Sequence, residues 1–301
     1  MKLFLTGMKA MAVVMVLALP MVSQAFPNGL KVFKDTYGVQ KGSALDKANC
    51  AICHTSAIKG DKLNPFGEDV AKVLKANNTR VLTKEMLASI EELDSDSDKC
   101  ANIDEINADS LPGDAKSLPS REWATPSVAP IAEPGKVAAA LAALKPRTLR
   151  ADGAKVGELR VAIAGSVLAI DAKVYDHKVT AEAKEWTGAG VELAAAMPEA
   201  KTCSRLVFLP KSATGGEVQL YHNADQQAAP KCQWAVTPLK GYGYELTALI
   251  PLEVLQLDAK AAKFLFEAAT TTDAGAQYTT LFGSAKGYTD STKFGSLLVQ
   301  K

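Results

Sequence analysis

Cys50-Ala51-Ile52-Cys53-His54 carries the most specific chemistry in this 301-residue chain. Two thiols three positions apart on one helical turn can each add across a haem vinyl group, and a histidine directly after the second comes round beneath the iron. That is the spacing of c-type haem attachment. Cys-x-x-Cys also makes redox disulfides and half zinc sites. A zinc site needs a second close pair of ligands, which Cys100, Cys203 and Cys232 do not offer. A thioredoxin-like site needs a strand leading into the motif, and nothing before Asn49 reads as one. One covalent haem c is therefore expected on Cys50 and Cys53, with His54 as the proximal iron ligand. Beyond residue 25 the only methionines are Met86 and Met197, and the only other histidines His177 and His222. Met86 is the candidate distal ligand, which would raise the potential. Its alternative is an apolar side chain filling space against the porphyrin edge. A second, non-covalent haem on Met197 or His222 is not expected.

The second cluster is acidic. Counted from Asp94, carboxylates stand at positions 1, 3 and 5 (Asp94, Asp96, Asp98), an amide at 9 (Asn102) and a glutamate at 12 (Glu105). These are the side-chain ligand positions of a twelve-residue calcium loop, in which position 7, here Cys100, donates its backbone carbonyl. Position 6 asks for φ > 0 and ordinarily takes glycine; it is Lys99, which costs roughly 1–2 kcal/mol. The alternative to calcium is a solvated acidic turn capping the following helix. In the C-terminal half, Cys203 and Cys232 flank strand-like runs, and in an oxidising compartment a disulfide between them is the expectation.

These residues need elements to hold them. Residues 1–25 read as a signal peptide: Lys2 and Lys9 precede an apolar run from Ala10 to Val22, then Ser23-Gln24-Ala25. About thirteen apolar residues fall short of the ~20 needed to span ~30 Å of hydrocarbon, so a periplasmic or secreted protein without a stable membrane anchor is expected. Losing Lys2 and Lys9 takes the formal net charge from +1 to −1, and no nucleic-acid footprint is present. Residues 26–114 read as a small all-α domain, with amphipathic runs Glu68–Lys75 and Thr83–Leu93. The second run puts Leu82, Met86, Ile90 and Leu93 on one stripe. Six prolines between Pro112 and Pro146 mark residues 115–146 as a semi-extended linker. Residues 147–301 hold nine strand-like runs, Glu158–Ala164, Val167–Val174, Val191–Ala194, Arg205–Leu209, Glu217–Tyr221, Gln233–Thr237, Tyr244–Ile250, Lys263–Ala269 and Phe294–Val299. Turn signals separate them, and an antiparallel β-sandwich is expected.

The haem motif, Leu63-Asn64-Pro65-Phe66-Gly67, and the DSDSD loop running into NIDEINADSLPGD together resemble a family of small secreted bacterial monohaem cytochromes with an EF-hand-like segment. That resemblance covers about a third of the chain, roughly Ala44 to Asp114, and implies the haem and calcium residues above. Trp186-Thr187-Gly188, Tyr244-Glu245-Leu246 into Ala248-Leu249-Ile250-Pro251, and Tyr288-Thr289-Asp290-Ser291 with Phe294-Gly295 make residues 147–301 similar to family-9 carbohydrate-binding modules. They are similar as well to the haem-binding domain of ethylbenzene-dehydrogenase-type subunits. Trp186 and Trp234 are candidates to stack on a sugar ring, with burial in the core as the commoner fate. The expectation is a non-enzymatic, exported c-type cytochrome that carries single electrons to a redox partner protein, its sandwich docking a partner or ligand. The alternative makes the sandwich the functional half, binding a carbohydrate or haem; a third reading is an open-haem, peroxidase-like enzyme.

Overall fold

The computed structural model describes residues 27–56, 62–175, 190–212, 215–240, 243–272, 277–282 and 290–300. The leader, His177, Trp186 and Tyr288 lie outside them. Among the described residues no helix is long and apolar enough to cross a membrane.

The architecture is mostly β-sheet with few helices. Five come first: α1 (Pro27–Tyr37), α2 (Ala44–Ala48), α3 (Pro65–Ala76), α4 (Lys84–Ala88) and α5 (Asn102–Asn107), with a 3-10 turn over Asn49–Ile52. They enclose Phe33, Tyr37, Leu45, Ile52, Phe66, Val70, Leu87, Ile90 and Ile106. Phe33 packs edge-on against both Tyr37 and Phe66, with ring centroids 4.9 and 6.0 Å apart. α4 is shorter than the amphipathic run suggests. The Ser89 hydroxyl donates to the Met86 carbonyl at 2.7 Å, drawing off a helix acceptor, and turns follow. The buried side of this segment is Leu87 and Ile90; Leu93 is exposed and Met86 only half-buried.

The strands β1 (Glu122–Pro126), β2 (Arg147–Ala151), β3 (Ala154–Ala164), β4 (Val167–Val174), β5 (Gly190–Ala196), β6 (Ser204–Ser212), β7 (Gly215–His222), β8 (Asp225–Gln226), β9 (Gln233–Leu239), β10 (Gly243–Pro251), β11 (Lys263–Thr272), β12 (Gln277–Thr280) and β13 (Gly295–Gln300) form two sheets. The eight-stranded sheet runs β1-β13-β11-β5-β6-β7-β8, with β12 also on β11; the five-stranded sheet runs β2-β3-β4-β10-β9. Their inner faces meet over one core that includes Leu159, Val161, Ile170, Leu193, Leu206, Phe208, Leu246, Phe264 and Phe266. All nine expected strand runs fall on observed strands. Trp234 packs edge-on against Phe208 at 5.6 Å and belongs to this core rather than to an open sugar platform.

Residues 115–146 are not a spacer. β1 pairs in parallel with β13, Glu122 opposite Ser296 through Pro126 opposite Gln300. Pro126 sits at the strand's end, where its missing donor costs least. The helix α6 (Val137–Leu141) lays fully buried Val137 and Leu141 on Ala162, Ala164, Ala169 and Leu249. β3 and β4 are therefore covered on both faces, which is why Ala162 and Ala169 are as buried as Val161 and Ile170. Nor do the helices stand apart as a separate all-α domain. Arg150 of β2 bonds Asp104 of α5 through Nε and Glu92 through Nη2 at 2.8 Å. Substituting Leu141→Ala removes most of α6's anchor and should cost about 2–5 kcal/mol. Thermal unfolding would read this as a clear drop in Tm, whereas an unchanged Tm would mean that α6 merely rests on the sheet.

Candidate functional site

Three places gather chemistry, beginning with the cysteine motif. Cys50 stands on the 3-10 turn and Cys53 caps its end, and burial, followed by the neighbouring Cys50, pushes the Cys53 thiol up to about 12. The turn is clamped by Asn64, 6% exposed, whose amide donates to the carbonyls of Ala51 (3.1 Å), Ile52 (3.0 Å) and His54 (3.4 Å). Its Oδ1 accepts from Gly67 N at 2.8 Å, capping α3, and its own N–H donates to the Cys53 carbonyl at 3.0 Å. A Cβ on Gly67 would lie 1.9 Å from that carbonyl oxygen, so α3 reaches the turn only because this residue is glycine. The Asn64-Pro65-Phe66-Gly67 stretch thus holds the Cys-x-x-Cys-His turn in shape, and two cysteines presented from one turn fit thioether attachment. Met86 is tied into α4, its amide donating to the Thr83 hydroxyl at 3.3 Å.

The acidic loop is the second place. Ligand oxygens of Asp94, Asp96 and Asp98 lie within 4.8 Å of one another. Asp94 accepts from Asp98 N (3.2 Å) and Lys99 N (2.9 Å), and Asp98 accepts from Cys100 N (2.7 Å), which folds the loop around the carboxylates. Lys99 adopts φ 79°, the conformation a calcium loop requires at its sixth position, despite not being glycine. Glu105 is 0% exposed, and neither of its carboxylate oxygens has a hydrogen-bond partner. Asp96 Oδ2 and Asp98 Oδ2 are buried without partners too. Burial first, then the charges of Asp96, Asp98 and Asp94, push Glu105 up to about 9; burial and Asp98 push Asp96 to about 6. Such a set is unfavourable unless protons or a cation neutralise it. Asn102, expected among the ligands, has another role. Its Nδ2 donates to Ile90 O (2.8 Å) and Ser95 Oγ (3.0 Å), and its Oδ1 accepts from Ser95 N (3.4 Å), stapling the loop's two ends together. The fitting donors are therefore Asp94, Asp96, Asp98 and Glu105, with the Cys100 carbonyl at the seventh position.

The third place escaped the sequence. The register puts Arg205 of β6 beside Tyr221 of β7 and Ala194 of β5, on the face of the eight-stranded sheet turned away from the core. Glu192 and, on β11, Glu267 and Thr271 share that face, with Tyr278 of β12 opposite Thr271. Arg205 Nη1 donates to Glu192 Oε2 at 3.1 Å, and its guanidinium lies 4.3 Å from the centroid of the Tyr221 ring. The Tyr278 hydroxyl donates to Glu192 Oε1 at 2.9 Å, and that of Tyr221 to Gln219 Oε1 at 2.8 Å. Gln219 Nε2 in turn donates to Glu217 at 2.7 Å. Arg205 and Glu192 are buried, while Tyr278 is 41% exposed and Glu217, Gln219 and Tyr221 half-buried. Only strand register assembles this row; no short motif marks it.

Packing corrects the expected disulfide. Cys203 and Cys232 form no disulfide. Cys203 packs with Ala194, Ala196 and Phe294 outside the sheet, whereas Cys232 lies against the inner core. His222 Nδ1 is 2.9 Å from Ser204 Oγ, and the Met197 sulfur accepts from Asp258 N at 3.5 Å, so both have structural roles.

No family model matches the chain. No curated protein matches either. Among solved structures, a family-9 carbohydrate-binding module from Caldicellulosiruptor kristjanssonii in complex with cellotriose is 16% identical, at TM-score 0.43. The match covers 60% of this chain and 93% of that one. A putative carbohydrate-binding protein from Bacteroides uniformis is 14% identical, at TM-score 0.46, covering 60% and 99%. The same Caldicellulosiruptor module with glucose is 14% identical, at TM-score 0.43, covering 60% and 95%. These structures are named for carbohydrate binding. The classification of this chain by cytochrome, haem, iron and electron transfer is corrected to one by its β-sandwich, because two sheets rather than a helical domain make up most of the described residues.

Glu105 yields a pH prediction. Burial and the neighbouring carboxylates push its carboxyl up to about 9 in the folded, cation-free chain, from the ordinary 4.5 of an unfolded glutamate. Between those values the folded state holds the extra proton, so stability falls as pH rises from about 4.5 to about 9. A bound cation replaces that proton. Calcium titrations at pH 7 in buffers of different ionisation heat should show release approaching one proton per ion. Glu105→Gln should weaken binding by more than the roughly 10–100-fold that loss of an outer-shell partner costs. Equal heats in all buffers would contradict the assignment.

Proposed function

We propose that the protein is an exported carbohydrate-binding protein whose ligand lies on the outer face of the eight-stranded sheet. One observation carries this: the row Glu217, Gln219, Tyr221 and Tyr278, backed by the buried Arg205–Glu192 pair. Sugar hydroxyls are both donors and acceptors and are recognised by planar polar groups held at fixed angles, with an aromatic face for the ring's C–H surface. Arg205 and Glu192 fix the two tyrosines, so the ordering cost falls on folding rather than on binding. Affinity electrophoresis of the full chain against a panel of polysaccharides is the test. Tyr278→Ala and Gln219→Ala, both away from the core, should lower affinity at least about 10-fold, or ~1.4 kcal/mol, with little change in Tm. Binding that survives both changes would place the ligand elsewhere.

The acidic loop supports a second component of the proposal, one structural calcium held by Asp94, Asp96, Asp98, the Cys100 carbonyl and Glu105. The partnerless buried oxygens of Glu105 favour it over a solvated turn.

At residues 50–54 the proposal is confined to a covalent tether. Bound there, a haem would supply an iron porphyrin. The chain's own contribution is the Asn64 and Gly67 clamp that presents both thiols and His54 from one turn. Pyridine haemochrome quantification of the exported protein should give one haem per chain, abolished by Cys50→Ser with Cys53→Ser. No covalent haem in a correctly exported protein would make Cys50 and Cys53 structural thiols.

A further inference from the structure

A cleft of about 230 Å³ opens where α5 meets the sandwich. Asn107 and Asp109 stand on the helical side, Glu122 and Trp123 on β1, and Lys145 and Arg147 lead into β2. The acids at its rim are already engaged. Asp109 accepts from Ala44 N (2.7 Å) and Leu45 N (3.0 Å) at the start of α2, and Glu122 Oε1 accepts from Lys263 Nζ at 3.1 Å. The cations are not. The Arg147 guanidinium lies 5.8 Å from the Trp123 ring centroid, and among the described residues its one hydrogen bond runs from Nη2 to the Glu122 carbonyl at 3.5 Å. Lys145 makes no hydrogen bond or ion pair among the described residues and feels only the field of Asp109. Burial lowers the pKa of both groups, opposed by the charge of Asp109 at Lys145 and of Asp104 at Arg147.

We infer that this cleft binds a small carboxylate-bearing molecule of about one ring. A carboxylate matches the fork of Arg147 with two parallel N–H···O bonds and leaves its outer lone pairs to Lys145 and the Asn107 amide. The volume lies below the ~300–1,000 Å³ of sites for drug-sized ligands, which limits the ligand to about one ring. Trp123, 8% exposed, lies beside the guanidinium, and among the described residues no carboxylate bonds the fork. The site is separate from the sheet-face row, and neither assignment depends on the other.

The test is calorimetric titration of the full chain with glucuronate, against glucose and inorganic sulfate as comparators. Glucuronate should bind at least about 10-fold more tightly than either, with affinity falling as salt rises. Arg147→Lys keeps the charge but loses the fork, and should weaken glucuronate about 10-fold at an unchanged Tm. Lys145→Ala, at an exposed position, should weaken it several-fold and flatten the salt dependence, which keeps the proposal testable if the Arg147 variant folds poorly. Equal binding of glucose and glucuronate, sulfate binding as tight as glucuronate, or full affinity in both variants would overturn it.

Discussion

The parallel pairing of β1 with β13 is the constraint on which the remaining organisation depends. Without it the proline-rich segment from Leu111 to Arg150 would be a spacer and the helices would hang from it. With it, Glu122–Pro126 becomes an edge strand, α6 is brought over β3 and β4, and β2 begins close to α5. Arg150 then reaches Asp104 and Glu92, and the cleft between the two parts of the molecule has walls. The cost of a parallel edge, slanted hydrogen bonds and a long connection, is offset by the apolar area that α6 buries.

Charge repulsion sets the character of the helical part. Four carboxylates converge at the acidic loop, and the chain meets the repulsion with Asn102, whose amide ties Ser95 and Ile90 together so that the loop cannot relax outward. Ser95 also donates to Asp69 of α3 at 2.7 Å, extending the brace to the helix that packs on the cysteine turn. The loop is thus held in a shape that disfavours its own charges, and Lys99 accepts a left-handed backbone within it. α5 carries Glu105 toward the loop and Asp104 toward Arg150, so one short helix links the acidic cluster to the sandwich.

Much of this was legible in the residues, and the failures have physical causes. The strand runs of the sandwich were visible because β-branched and aromatic residues alternate between turn signals. The acidic loop was visible because ligand spacing is local. β1 was not: Glu122-Trp123-Ala124-Thr125-Pro126 has one apolar anchor, ends in proline, and becomes a strand only because β13 offers an edge. Asn102 has the spacing of a ligand, but burial gave its amide two closer partners. The Cys203–Cys232 pairing assumed that flanking strands bring side chains to the same side, and the two thiols lie on opposite sides of the sheet. The row from Glu217 to Tyr278 joins residues far apart in sequence through register alone, which no local pattern encodes.

The β1–β13 pairing also bears on the order of folding. β1 takes its partner from β13, far along the sequence, with Glu122 opposite Ser296, so this edge of the eight-stranded sheet closes only across a long connection. Such long-range parallel contacts incur loop-closure entropy before they return any stability. α6 does not wait for that closure, since Val137 and Leu141 pack on β3, β4 and β10 of the other sheet. The five-stranded sheet, with α6 upon it and Arg150 of β2 tied to α5, can form ahead of that closure.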